Sequence, residues 1–286
     1  MKAGLMVAIM AGLSSASAFA HVSYSTRDFF ANGVQSGTTW TLSNQRVTSD
    51  FGWADGADAD WGDSHRVRWA RFTLTETSQV SITVSAASFD YLSGGNTLAA
   101  LGDLMPGFSL YGGIAPAAAY EAGDHPDYLA HHPGLLPTVS YVATTPAAPL
   151  GVREGAFNAN GDFWLSNKLS EVGAANWAAV HLTYVGQAVD GAGVDVNGDG
   201  IRDIVGDGTA NGSVTASFTL AAGSYSLIVG GANYASQYVN HAAGEGQRGF
   251  SAALSVTPVP EPEGWALMLG GLGLVGLIAR RRIASR

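Results

Sequence analysis

The chain has 286 residues, 47% of them hydrophobic, with 38 Gly and no Cys, so disulfides and thiol chemistry are excluded. Between His21 and Thr257 there are 9 Lys and Arg against 21 Asp and Glu, a net charge of −12. A body this acidic, with no basic stripe, is repelled by nucleic acid and excludes it as a partner.

Residues 1–20 read as a signal peptide: Lys2, an apolar stretch from Leu5 to Leu13, then Ala18-Phe19-Ala20 as a cleavage site. Cleavage after Ala20 would leave His21 as the first residue, offering an amine and an imidazole to one metal ion. Lytic polysaccharide monooxygenases hold copper in that way with a second His, here to be drawn from His65, His125, His131, His132, His181 and His241. No second-His motif stands out, so a copper-dependent oxidase is the weakest of the readings.

Two short β-prone runs follow, Thr38–Leu42 and Gln45–Thr48. An acidic loop holds Asp50, Asp55, Asp58, Asp60 and Asp63 among Trp53 and Trp61, and is a lesser candidate for a cation. The two tryptophans are expected to pack in the core or loop rather than to stack on sugars. Val67–Thr75 and Gln79–Ser85 alternate with period two, the second placing Val80, Ile82 and Val84 inward. Phe108–Tyr111 is a further strand, closed by Gly112-Gly113.

Residues 115–160 carry six prolines and form an irregular insertion. Its Asp124, His125, Asp127, His131 and His132 fit no defined zinc spacing. A short helix is expected around Leu165–Val172, and Val180–Val185 is a strand with His181 toward solvent or an edge.

Asp195-Val196-Asn197-Gly198-Asp199-Gly200-Ile201-Arg202-Asp203 resembles the calcium loop of EF-hand-like and dockerin-like repeats. Oxygens of Asp195, Asn197 and Asp199 would converge as the chain curls, Gly200 allows the sharp turn, Ile201 offers its carbonyl and Asp203 sits at position nine. Position twelve is Gly206, where that family has a bidentate Glu; Asp207, one residue on, is the substitute. No amphipathic helices flank the loop, so it reads as a structural calcium loop between strands. Asp, Asn and Gly also favour turns without any ion.

A hairpin is expected from Ser213–Leu220 and Tyr225–Val229, and Gly249–Val256 is the closing strand. Arg71–Leu74, Phe108–Tyr111 and Gly223–Val229 resemble bacterial pre-peptidase C-terminal and related jelly-roll modules. That resemblance implies an all-β, jelly-roll-like antiparallel sandwich over 21–257, calcium-bearing and not itself catalytic.

The tail, 258–286, runs Pro260-Glu261-Pro262, an uncharged apolar run from Gly264 to Ala279, then Arg280-Arg281-Arg282. The run has 16 residues against the ~20 of an ordinary spanning helix. Snorkelling ends and local thinning of the bilayer can close that gap. The order of parts resembles the PEP-CTERM sorting signal. It implies a transmembrane helix, an inner-membrane precursor, an exosortase-type membrane protease, and delivery to the periplasm, cell surface or medium of cells that make exopolysaccharide.

No G-x-S-x-G, H-E-x-x-H or phosphate-binding glycine loop is present, so a non-enzyme is expected. The body glutamates, Glu76, Glu121, Glu154, Glu171 and Glu245, sit in no telling context. A calcium-stabilised surface or matrix protein is the leading reading, and a carbohydrate-binding module the alternative. No regular Thr-x-Thr ladder runs along the chain, which sets aside the ice-binding label carried by some C-terminal domains of this kind.

Overall fold

The computed structural model describes residues 22–54, 61–64, 66–115, 120–121, 156–166, 179–194, 204–233, 236 and 241–259, with 268, 270–275 and 280 of the tail. In chain order the elements are α1 (Phe29–Asn32), β1 (Val34–Ser36), β2 (Thr39–Ser49), β3 (Trp61–Asp63), β4 (Arg68–Leu74) and β5 (Ser78–Ala86). Then come β6 (Phe89–Ser93), β7 (Asn96–Ala100), β8 (Pro106–Gly112), β9 (Tyr120–Glu121), β10 (Ala156–Asn158) and β11 (Phe163–Ser166). The last are β12 (Ala179–Val189), β13 (Gly193–Val194), β14 (Ile204–Val205), β15 (Ser213–Leu220), β16 (Gly223–Gly231), α2 (His241–Gly244) and β17 (Glu245–Pro258).

Two antiparallel sheets face each other. One has five strands in the order β1-β2-β17-β5-β15, the other six in the order β4-β16-β8-β12-β11-β9. The space between them is filled from both sides. Leu42, Val80, Ile82, Val84 and Leu254 come from the five-stranded sheet, and Phe72, Phe108, Leu110 and Leu227 from the six-stranded one. The sequence alternation that put Val80, Ile82 and Val84 inward is therefore the observed one, and the all-β sandwich expectation holds.

The six-stranded sheet is covered on its second face as well. Trp69, Tyr111, Leu182 and Ile228 point away from the first core into a second one, closed by Val22, Tyr24, Trp53 and Phe157. Trp53 is fully buried and donates its indole N–H to Ser109 Oγ at 3.0 Å. Its ring lies so close to Gly107 that a Cβ there would come within 2.5 Å of it. That close approach is why β8 carries a glycine mid-strand.

The outer face of the five-stranded sheet has a different character. Register aligns Thr215, Thr83, Ala253 and Thr41 in one row, and Ser217, Ser81, Ser255 and Thr39 in the next. Beside them lie Ser213, Ser85 and Ser251, and Thr219, Gln79 and Thr257. Twelve of these fourteen positions are Ser or Thr and none is charged. The hydroxyls bond across strands: Thr83 to Thr215 and Ser85 to Ser213 at 2.8 Å, Thr39 to Ser255 at 2.6 Å, Ser217 to Ser81 at 3.2 Å. A hydroxyl ladder is thus present after all. Hydroxyls alternate along β15 (Ser213, Thr215, Ser217, Thr219) and β5 (Ser81, Thr83, Ser85), and register joins them into rows across the strands.

Several local expectations change. The runs at 38–42 and 45–48 are one eleven-residue strand, β2, carrying a bulge opposite Ser251 with Asn44 at φ 54°. β15 and β16 are not a hairpin: β15 pairs with β5, and β16 pairs with β4 and β8, so the chain crosses from one sheet to the other at Ala221-Ala222. The helix expected from Leu165 does not begin there, because Leu165 and Ser166 pair in β11 with β12; residues 167–178 lie outside the described residues. Within the span read as irregular, Tyr120–Glu121 and Ala156–Asn158 are strands.

In the tail, Met268, Leu272, Leu274 and Val275 are exposed and the described residues 270–275 are helical. These side chains are therefore not part of the core. Among the described residues no helix is long and apolar enough to cross a membrane.

Candidate metal centre

The calcium-loop sequence sits between two short strands that pair with each other. β13 and β14 are antiparallel, with Gly193 opposite Val205 and Val194 opposite Ile204. Val194 and Ile204, the described residues on either side of Asp195–Asp203, are therefore direct register partners. Asp195, Asn197, Asp199, Ile201 and Asp203 themselves lie outside the described residues. The flanking elements are strands, as the sequence reading held.

The base of this hairpin is built around two carboxylates. Asp190, directly after β12, is 1% exposed. Its Oδ1 accepts from Asn211 N–H at 3.0 Å and its Oδ2 from Gly212 N–H at 2.9 Å. Asp207 accepts on Oδ1 from Gly191 N–H at 3.0 Å and Thr209 N–H at 2.9 Å. Its own N–H donates to Val189 O at 3.0 Å, and Gly208 N–H to Gly191 O at 2.8 Å. Ile204, fully buried in the second core, anchors the returning strand. Gly193 has φ 84°, and a Cβ there would lie 2.1 Å from Ile204 O, so this position requires glycine.

Asp207, the substitute ligand expected from the sequence, has a structural duty on Oδ1, which ties Gly191 and Thr209 together. Asp190 was not singled out in the sequence. Its signal is faint: one acidic residue between an apolar strand and a Gly-Ala-Gly turn, where carboxylates cap backbone N–H groups.

The acidic loop at 50–63 does not gather its described carboxylates. Asp50 is buried, and its Oδ2 accepts from Asn233 Nδ2 at 3.0 Å and Ser236 Oγ at 2.9 Å. Burial pushes its carboxyl above the usual carboxylate range, against the Ser236 hydrogen bond and the charge of Arg248. Asp63 instead pairs with Arg66 at 3.3 Å, and Arg66 with Glu245 at 3.1 Å. Asp55, Asp58 and Asp60 lie outside the described residues. Arg248, nearly enclosed, meets Asp103 at 2.7 Å and donates to the Ala243 and Glu245 carbonyls.

Among the histidines, His181 faces solvent, as one of the two expectations had it, 3.0 Å from Asp162; β12 is not an edge strand but lies between β8 and β11. His21, His65, His125, His131 and His132 lie outside the described residues, as do Asp124, Asp127, Pro260, Glu261, Pro262, Arg281 and Arg282. Arg280 is described as helical. Among the described residues no three His, Asp or Glu side chains converge on a common point. The buried Trp53 and Trp69 offer no sugar-stacking face.

Residues 258–282 match the family model described as the PEP-CTERM protein-sorting motif. The chain is therefore that of an exported protein with a membrane-anchored precursor, and an exosortase is its processing partner. No curated protein matches the chain. Among solved structures it is similar to CorA of Methylomicrobium album BG8, titled a surface-associated copper-binding protein important in copper acquisition. That likeness has 17% identity and a TM-score of 0.42, and covers 81% of this chain and 97% of that one. It is also similar to the secreted protein MopE of Methylococcus capsulatus, whose title reports copper binding facilitated by an oxidized tryptophan. There the identity is 16% and the TM-score 0.39, with 82% of this chain and 87% of that one covered. At these values neither likeness bears on what this chain binds.

Proposed function

We propose that the protein is a non-catalytic component of the cell surface or extracellular matrix, associated with exopolysaccharide and stiffened by calcium held in the 195–203 loop. The observation that supports the calcium part is the paired base of that loop. Strands β13 and β14, braced by Asp190 and Asp207, bring together the two ends of a sequence rich in oxygen ligands at calcium-loop spacing. An ion needs such ligands delivered to one point, and a loop already closed at its base loses less entropy in curling around it. Hard oxygen donors and the abundance of calcium outside cells favour that ion over softer metals.

Extracellular calcium modules bind at roughly 10⁻⁴–10⁻³ M. At about 1 mM calcium, mass action then stabilises the fold by ~0.4–1.4 kcal/mol, a rise in Tm of about 1–6 °C. Differential scanning calorimetry with calcium and with EDTA tests this. Asp195→Ala with Asp199→Ala should abolish the difference, and a wild-type Tm that ignores EDTA overturns the calcium assignment. The surface assignment is tested by fractionating cells with and without the sorting protease. Loss of the protease should hold the chain in the inner membrane, and unaltered release would reject the assignment.

A further inference from the structure

We propose that the outer face of the five-stranded sheet is a docking surface for a linear, uncharged polysaccharide. The inference rests on the association with exopolysaccharide put forward above, and names the face and the chemistry of the partner. Charge argues for it first. The body carries 30 Asp, Glu, Lys and Arg side chains, yet none occupies these fourteen positions of β2, β17, β5 and β15; Arg46, past the β2 bulge, lies outside the patch and stands over the Tyr91 ring at 4.0 Å. A body of net charge −12 repels anionic polymers at long range, so the partner that fits an uncharged face is a neutral one.

The hydroxyls are positioned and have capacity left. Each Ser or Thr hydroxyl donates once and accepts twice. A cross-strand pair such as Thr83–Thr215 consumes one donor, which leaves the second O–H free to bond outward. The strands hold these groups about 4.8 Å apart along a row and about 6.8 Å apart along a strand. The fourteen positions include no aromatic ring, so a single sugar finds no stacking platform. Each hydroxyl contact exchanged with water contributes only ~0.5–1.5 kcal/mol. Binding must therefore come from many contacts made together, which a polymer lying along a row of four strands supplies.

Twist selects a chain over a crystal plane. Neighbouring strands rotate by about 20–25°, so a flat ice surface meets only part of the face, while a chain can follow it.

Affinity gel electrophoresis of the exported protein with soluble linear β-glucan, its short oligosaccharides, and anionic alginate tests the proposal. The expected result is retardation by the β-glucan, at least about tenfold weaker binding of the oligosaccharides, and no retardation by alginate. Thr83→Val with Thr215→Val keeps shape and removes hydroxyls, and Ser81→Lys places a charge mid-face. Either change should weaken binding at least about fivefold, with Tm within about 4 °C of wild type. Failure of wild type to bind β-glucan, undiminished binding by both variants, or activity only on growing ice crystals overturns the proposal. Co-fractionation with the cells' own exopolysaccharide separates the two readings. If wild type and the Val variant both co-fractionate, the association stands and this face is rejected; if wild type binds β-glucan yet does not co-fractionate, the face stands and the association is rejected.

Discussion

The two sheets of the sandwich solve the same packing problem with opposite outer faces. The six-stranded sheet is buried on both sides, and its central strands read as nearly continuous burial: six of seven positions in β8 and seven of nine in β16. In the five-stranded sheet β5 alternates, buried at Ser78, Val80, Ile82 and Val84 with Gln79, Ser81 and Thr83 between them. One sheet is the mechanical centre of the body, packed by residues from distant parts of the chain. The other turns one face to the core, and on the second it carries the fourteen-position hydroxyl-rich patch, with Arg46 and the β6–β7 hairpin beyond it. Sheets of the first kind tolerate little change on either side of a strand, whereas those of the second are robust to change on one.

That contrast can be broken most sharply at β8. Phe108 is fully buried between the sheets, and Phe108→Ala should cost about 3–5 kcal/mol in urea unfolding. A loss under ~1 kcal/mol would mean that the buried sheet is not the rigid partner. Next is Asp190, directly after β12 of the same sheet. Asp190→Ala leaves two backbone N–H groups without their acceptor and should cost about 2–3 kcal/mol, while also weakening any response of Tm to calcium.

Asp50, where β2 leaves the open sheet, gives a smaller, pH-dependent effect. Burial raises its pKa, so the folded state keeps a proton that the unfolded chain has already lost. Its contribution to stability is therefore full below about pH 4 and is lost as pH climbs through the raised value. Asp50→Asn should flatten that part of the stability–pH curve, and an unchanged curve would show that another group governs it. The smallest effect belongs to the open face. Thr215→Ala removes one cross-strand hydroxyl pair and should cost only about 0.2–1 kcal/mol. A cost as large as that at Phe108 would erase the distinction between the sheets.

Period-two alternation made β5, β15 and the inward set Val80, Ile82 and Val84 legible before any coordinates, and the tail identified itself by motif. Pairing was not legible. β15 and β16 are adjacent in sequence, separated by Ala221-Ala222, and local reading joins them; their partners β5 and β4 lie about 130 to 160 positions away. The hydroxyl rows were hidden for the same reason. Alternation tells which face a residue takes, but only register tells which residues of other strands stand beside it. For the candidate metal centre, the ligand spacing was readable, while the brace from Asp190 depends on Asn211 and Gly212, which no local pattern connects to it.

β17 lies in the middle of the open sheet, bonded to β2 on one side and β5 on the other, although it is the final strand in chain order. Its pairing runs to Pro258, Val259 N–H still donates to Thr77 O, and the sorting motif starts at 258. During translocation the sheet therefore stays in two halves until its final strand, directly ahead of the sorting motif, has emerged. Maturation of the body and exposure of the label to the protease become neighbouring events in time, and a scission beyond the strand frees a domain whose last seam is already closed.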